Sequence, residues 1–124
     1  MEDLLNNLLF KGRACRELGL INESKHYYEK CLQASWLEGN LPLMATAVNE
    51  MGNLCLLEGK FDQAKELFDK ALNLARKMNG KGLAGTVIRN LAGLNSLLGK
   101  FGKKGRGIDT RVATPEAEQE WRSA

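Results

Sequence analysis

Residues 48–72 read V-N-E-M-G-N-L-C-L-L-E-G-K-F-D-Q-A-K-E-L-F-D-K-A-L. They describe two amphipathic helices meeting at one tight corner. Gly59 stops the first helix, since a residue without Cβ can take the left-handed conformation that a helix C-terminus often needs. Phe61 restarts an apolar stripe almost at once. Small residues stand where the two helices would have to approach, Gly52 on the first and Ala64 and Ala71 on the second. Phe68 and Leu72 are their bulky counterparts.

Outward from this stretch the same pattern recurs. Gly19, Gly59 and Gly99 are spaced by 40 residues, and so are Gly12, Gly52 and Ala92. Ile21, Phe61 and Phe101 follow the corners, and Tyr28/Phe68, Cys31/Ala71 and Leu32/Leu72 repeat in the second helices. A helix-corner-helix unit cannot bury its apolar face alone. Tandem copies therefore imply a stacked array.

The spacing predicts five helices. The first, Glu2 to Leu18, carries Leu4, Leu5, Leu8, Leu9, Ala14, Cys15 and Leu18, and Gly19 ends it. Asn22 is a candidate N-cap for the second, which carries Tyr27, Tyr28, Cys31, Leu32 and Trp36 to about Leu37. Gly39-Asn40 is a turn, and Pro42 suits the first turn of a third helix over about 42–58. The fourth runs from about Asp62 to Met78, and Asn79-Gly80-Lys81-Gly82 is the next turn. A fifth helix over 83–98 carries Val87, Leu91, Leu94 and Leu98 and is expected to end at Gly99.

The spacing small-x6-Gly-x-aromatic-x2-Ala-x3-aromatic-x2-Ala-Leu resembles one unit of a tetratricopeptide repeat (TPR). The resemblance covers about residues 5–101. A period of 40 exceeds the 34 usual in that family. This long form is similar to the TPR arrays of the spindle-orientation adaptors, the Leu-Gly-Asn repeat-enriched protein and its relative Pins. The motif N-E-M-G-N-L-C-L-L-E-G-K-F-D-Q-A and the later A-L-N-L-A-R-K-M-N-G-K carry that likeness. The resemblance implies an all-α, TPR-like right-handed solenoid of antiparallel helix pairs with about two and a half repeats. The units are expected at about 5–44, 45–84 and 85–101, the last being partial.

After Phe101 the pattern stops. Lys104, Ile108 and Arg111 stand where alanine, an aromatic and alanine are expected. Gly99, Gly102, Gly105 and Gly107 disfavour helix there. Residues 102–124 are expected to be a mostly disordered tail, with Thr114 as N-cap and Pro115 at the first position of one possible short helix. Two expectations follow: that the chain is a truncated or alternatively ended form of a longer repeat protein, and that an uncapped fifth helix self-associates or docks to other TPR segments.

Composition bounds the function. The 124 residues carry a formal charge of +3, with 12 Lys/Arg and 11 Asp/Glu in residues 1–98 and 6 and 4 after that. No concentrated basic face marks a dedicated nucleic-acid binder. The segment Gly102-Lys103-Lys104-Gly105-Arg106-Gly107 offers only weak, salt-sensitive attraction. Cys15, Cys31 and Cys55 lack metal-ligand spacing and read as buried small hydrophobes in a reducing compartment. No apolar run is long enough for a membrane span, and no secretory leader pattern opens the sequence. A cytoplasmic location is expected, with nuclear access open. His26 has no nucleophile at a convincing spacing, and there is no phosphate loop. The expectation is therefore a protein that is not an enzyme and needs no cofactor or metal.

In TPR arrays the first helix of each unit lines a groove that takes a peptide or partner helix. Carried over by repeat position, the groove residues would be Asn6, Leu9, Arg13 and Arg16; then Thr46, Asn49, Asn53 and Leu56; then Thr86, Arg89, Gly93 and Ser96. Arg13, Arg16, Asn49, Asn53 and Arg89 are the partner-binding candidates. Asn can pair with a peptide backbone, and Arg can take a carboxylate bidentately. The set implies a protein or peptide ligand of acidic character. The other reading of these positions is a merely solvated open face. The two-carboxylate clamp of chaperone-tail binders is not matched, since Leu9 and Arg13 occupy its first-unit positions. The tail contains nothing resembling the Gα-binding motifs of the spindle adaptors.

Overall fold

The structure, a computed structural model, describes residues 2–105 and the side chains of residues 3–99. The described residues form five helices and no strand: α1 (Glu2–Glu17), α2 (Ile21–Glu38), α3 (Leu41–Leu57), α4 (Phe61–Lys77) and α5 (Lys81–Gly105).

The first four helices end in one way. Gly19, Gly39, Gly59 and Asn79 have φ of 79°, 69°, 76° and 55°. The amide that follows each one donates back to the carbonyl five residues earlier at 2.8 Å: Leu20 to Cys15, Asn40 to Ser35, Lys60 to Cys55 and Gly80 to Ala75. This is the Schellman arrangement, which satisfies carbonyls that a helix end leaves open. The corner thus recurs every 20 residues, twice per unit. Asn79 takes the glycine's place because Asn tolerates the left-handed region better than other side chains. At the other end of the helix pair, Asn40 caps α3 by accepting from the Leu43 amide at 3.2 Å, and Pro42 lies in the first turn.

The pairs α1/α2 and α3/α4 pack most closely, and α2 and α4 lean onto the following first helix. Tyr28 lies against Gly12 and Phe68 against Gly52. A Cβ on Gly52 would sit 2.5 Å from Phe68 Cε1, so only glycine lets the two helices come this near. Leu5, Leu9, Tyr28, Cys31, Leu43, Ala47 and Leu54 form one core. Val48, Cys55, Phe68, Leu72, Val87, Leu91, Leu94 and Leu98 belong to the second. Leu32 packs against both cores, which joins the units into one body. Each fully buried Leu or Phe contributes about 1.5–3 kcal/mol.

The Tyr28 hydroxyl is buried and has no hydrogen-bond partner among the described residues. Burial, followed by the Glu50 carboxylate, pushes its phenol above the usual range. An acid raised in this way adds stability that is complete below its unfolded-state pKa and is lost as pH rises through the folded-state value. The contribution of this group is therefore expected to be flat through neutral pH and to fall in the alkaline phenol range. Tyr28→Phe should remove that part of the fall. At pH 7 it should change stability by less than about 1 kcal/mol, since an unpaired hydroxyl is deleted and Phe already fills the matching place in the second unit. Denaturation at pH 7 and pH 10 checks both; a loss of several kcal/mol at pH 7 would contradict this account.

Four local expectations are corrected. α5 does not end at Gly99 but runs through it to Gly105. A glycine permits a corner without compelling one. Ile21 and Phe61 of the returning helices pack on the cores at the earlier corners, whereas α5 has no returning helix among the described residues. Lys100, Lys103 and Lys104 also suit the negative end of a helix. Asn22 is not the N-cap of α2, which starts at Ile21 behind Leu20 with no side-chain cap. Trp36, expected on the apolar stripe, is 69% exposed beside Leu37, and Leu4 and Leu18 are also exposed. Finally, the Val87/Leu91/Leu94/Leu98 stripe is buried inside the chain. It meets the α4 side of the second core, so it is not the surface that a sixth helix would cover. The expected tail beyond residue 105, including the short helix after Thr114, lies outside the described residues.

Candidate protein-interaction surface

The array is tighter on one side. α1 touches α3 and α3 touches α5, whereas α2 and α4 do not meet. The first helices therefore form a contiguous inner row, and the residues expected to line a groove all belong to these three helices. The row is not a set of independent side chains. At its α1/α3 junction, Arg13 Nε donates to Glu50 Oε2, and Arg16 Nη1 donates to Glu50 Oε1 at 2.7 Å. Asn53 Nδ2 adds a bond to Glu50 Oε1 at 3.3 Å. The Glu50 side chain is 7% exposed, against 22% for Arg16 and 46% for Arg13. Three of the five partner-binding candidates thus converge on one buried carboxylate.

Glu50 escaped the repeat-based assignment because its equivalents are Phe10 and Asn90, which share no chemistry with it. A signal was nevertheless available. Glu50 is the one charged residue in the seventeen of α3, and a lone charge in an apolar helix needs a partner when buried. Glu50 fixes how α1 sits on α3.

The α3/α5 junction uses a neutral version of the same contact. Asn90 Nδ2 donates to Asn49 Oδ1 at 2.8 Å, with Asn49 buried. Asn90 stands one unit on from Glu50, so the same helix position reaches back to the preceding unit at both junctions. Leu9 is a core residue rather than a groove residue. Thr46 and Thr86 turn their hydroxyls back to the Pro42 and Gly82 carbonyls of their own helices. Arg89 is exposed and bonds Thr86 Oγ1 at 3.2 Å within α5. Asn6, Gly93 and Ser96 are also exposed.

The family profile described as Tetratricopeptide repeat matches residues 3–77 and, in a second overlapping placement, residues 43–103. The chain belongs to the tetratricopeptide repeat family. The two placements are offset by 40 residues at their starts, in register with the observed corners. Neither the curated proteins nor the solved structures compared with the chain give a match. TPR repeats generally mediate protein–protein interaction, and the family is typically a non-catalytic module. Among the described residues of this TPR chain, no helix is long and apolar enough to cross a membrane. His26, the one histidine, is exposed and makes a T-shaped ring contact with Tyr27. Cys31 and Cys55 are buried free thiols, and burial raises both above the usual thiol range.

Proposed function

We propose that this TPR array is a cytoplasmic, non-catalytic adaptor that holds a peptide or helical segment of a partner protein against the inner row of α1, α3 and α5. The observation that carries the reading is the charge left on that row. Arg13 and Arg16 share the Glu50 carboxylate, Arg16 also lies 4.0 Å from the exposed Glu17 carboxylate, and Arg89 adds a further exposed guanidinium. The row keeps a positive surplus, which favours an acidic segment. Half-exposed Arg13 retains donors beyond the one given to Glu50, because a guanidinium carries five. The family's general role in protein–protein interaction supports an adaptor role of this kind. Burial of the Val87/Leu91/Leu94/Leu98 stripe within the chain weighs against self-association through that stripe.

Arg89 is the informative position, since its loss disturbs no buried contact. With a partner segment recovered by affinity capture and mass spectrometry, Arg89→Ala is expected to weaken binding about tenfold, the equivalent of about 1.4 kcal/mol. Arg89→Glu should weaken it more. Unchanged affinity for both variants, with helicity retained, would overturn the groove assignment.

A further inference from the structure

The first two units of the array each present on their first helix a stripe that receives their own second helix. On α1 the stripe is Leu5, Leu8, Gly12 and Cys15, and on α3 it is Ala45, Val48, Gly52 and Cys55. Tyr28 and Phe68 press on the two glycines. The same positions on α5 are Gly85, Ile88, Ala92 and Asn95. Gly85, Ile88 and Ala92 keep the apolar or small character while Asn95 replaces a cysteine, and the stripe is open at its centre: Ile88 is 49% exposed where Val48 is 5% exposed, and Ala92 is exposed where Gly52 is buried.

The helices that fill the first two stripes share one signature. Small-x3-aromatic-x2-small is Ser24/Tyr28/Cys31 in α2 and Ala64/Phe68/Ala71 in α4, and all six residues are fully buried. The same signature stands once more in the chain, as Ala117/Trp121/Ala124. It is displaced by 13 residues from the register of the repeat, which is why the repeat spacing does not find it. Thr114 and Pro115 precede it, residue types suited to an N-cap and a first helical position. We propose that residues 114–124 dock on the Gly85/Ile88/Ala92/Asn95 stripe as the sixth helix of the same chain.

Length and charge both fit. α5 overshoots Gly99 by six residues, about 9 Å of helix. The return path also crosses to a neighbouring axis about 8–10 Å away. The eight residues 106–113 can span about 26–29 Å, so the connector reaches. α5 carries five basic residues, Lys81, Arg89, Lys100, Lys103 and Lys104, and no acidic one. Residues 114–124 carry Glu116, Glu118 and Glu120 against the single Arg122. A helix this short is marginal in isolation, so docking must supply its stability. Trp121 on Ala92 is bulkier than Phe68 on Gly52. The sixth helix therefore sits further out than α4 does, and Gly85 in the place of Leu5 and Ala45 leaves it room. Arg89 borders this stripe, four residues after Gly85 and three before Ala92, so the test below reads the environment of Trp121 and not partner binding.

Trp36 and Trp121 are the two tryptophans, so the exposed Trp36 replaced by phenylalanine leaves Trp121 as the single reporter. In the W36F chain, Trp121 emission is expected to lie to the blue of the synthetic peptide 106–124, with acrylamide quenching reduced several-fold. Ala92→Glu in that background should return both to the peptide values while the far-ultraviolet circular dichroism of the array is kept. Ala92→Gly should shift emission further to the blue. Emission and quenching equal to those of the free peptide in W36F would overturn the proposal. So would a blue shift that survives Ala92→Glu. A shift that fades on dilution would assign the stripe to the tail of a second copy, which also overturns docking within one chain.

Discussion

Phe68→Ala is expected to destabilise the protein by about 3–5 kcal/mol, the range for emptying a buried phenylalanine site. The ring is fully buried and lies against Gly52 in the second core, which also holds Leu72, Val87, Leu91 and Leu94. It therefore joins α3 to α4 and, through the shared core, α4 to α5. Leu72, Val87 and Leu94 in the same core are themselves fully buried, so the site has little freedom to collapse into the gap. A small domain has only about 5–15 kcal/mol in total. Neighbouring units of a repeat array also lean on each other. Much of α4 and α5 should then lose order together. Urea denaturation followed by circular dichroism measures the effect, and a midpoint shift equivalent to less than about 1 kcal/mol would show that Phe68 does not hold the pair together. Gly52→Ala tests the same contact from the other side. Alanine is the better helix former by about 1 kcal/mol, yet its methyl would meet the ring, so a loss of stability is expected.

The second large effect concerns the inner row. Removing both Arg13 and Arg16 leaves the Glu50 carboxylate nearly out of water with only Asn53 as a donor. Breaking a buried ion pair from one side costs about 3–5 kcal/mol. The double change Arg13→Ala/Arg16→Ala should fall near the lower end, since Glu50 keeps the Asn53 bond. Removing the buried partner instead should cost less, because Arg13 and Arg16 can turn to solvent. The order of stabilities is therefore wild type, then Glu50→Gln, then the double arginine variant. Restoring Glu50→Gln in the double arginine background should recover part of the loss, as groups in one network couple. If the double arginine variant is as stable as the wild type, Glu50 does not lock α1 onto α3. These variants also separate folding from binding: Arg89→Ala should weaken partner binding without changing the denaturation midpoint.

Much of the fold is legible along the chain because two periodicities coincide. The 40-residue spacing of corners and the 3.6-residue spacing of apolar positions both name the same helices. Gly12 and Gly52 signal close crossing because nothing else fits under an aromatic ring. The inner row is less legible. Arg13, Arg16, Asn49 and Asn53 all belong to first helices, but repeat position says nothing about which donor meets which acceptor. Glu50 and Asn90 come from different units and meet their partners only when helices 34–41 residues apart are stacked.

The sequence by itself determined that this protein is a stack of helical hairpins, because glycine-led corners and small-against-aromatic pairs are local properties of the chain. Tertiary structure alone decided the commitment of the inner-row arginines to Glu50. It also decided the course of α5 through Gly99 and which stripe of α5 is buried and which is open. Those outcomes depend on what lies opposite a residue in space. A glycine ends a helix when a returning helix has somewhere to pack, and an arginine is available to a partner only to the extent that no buried carboxylate within the chain already holds it.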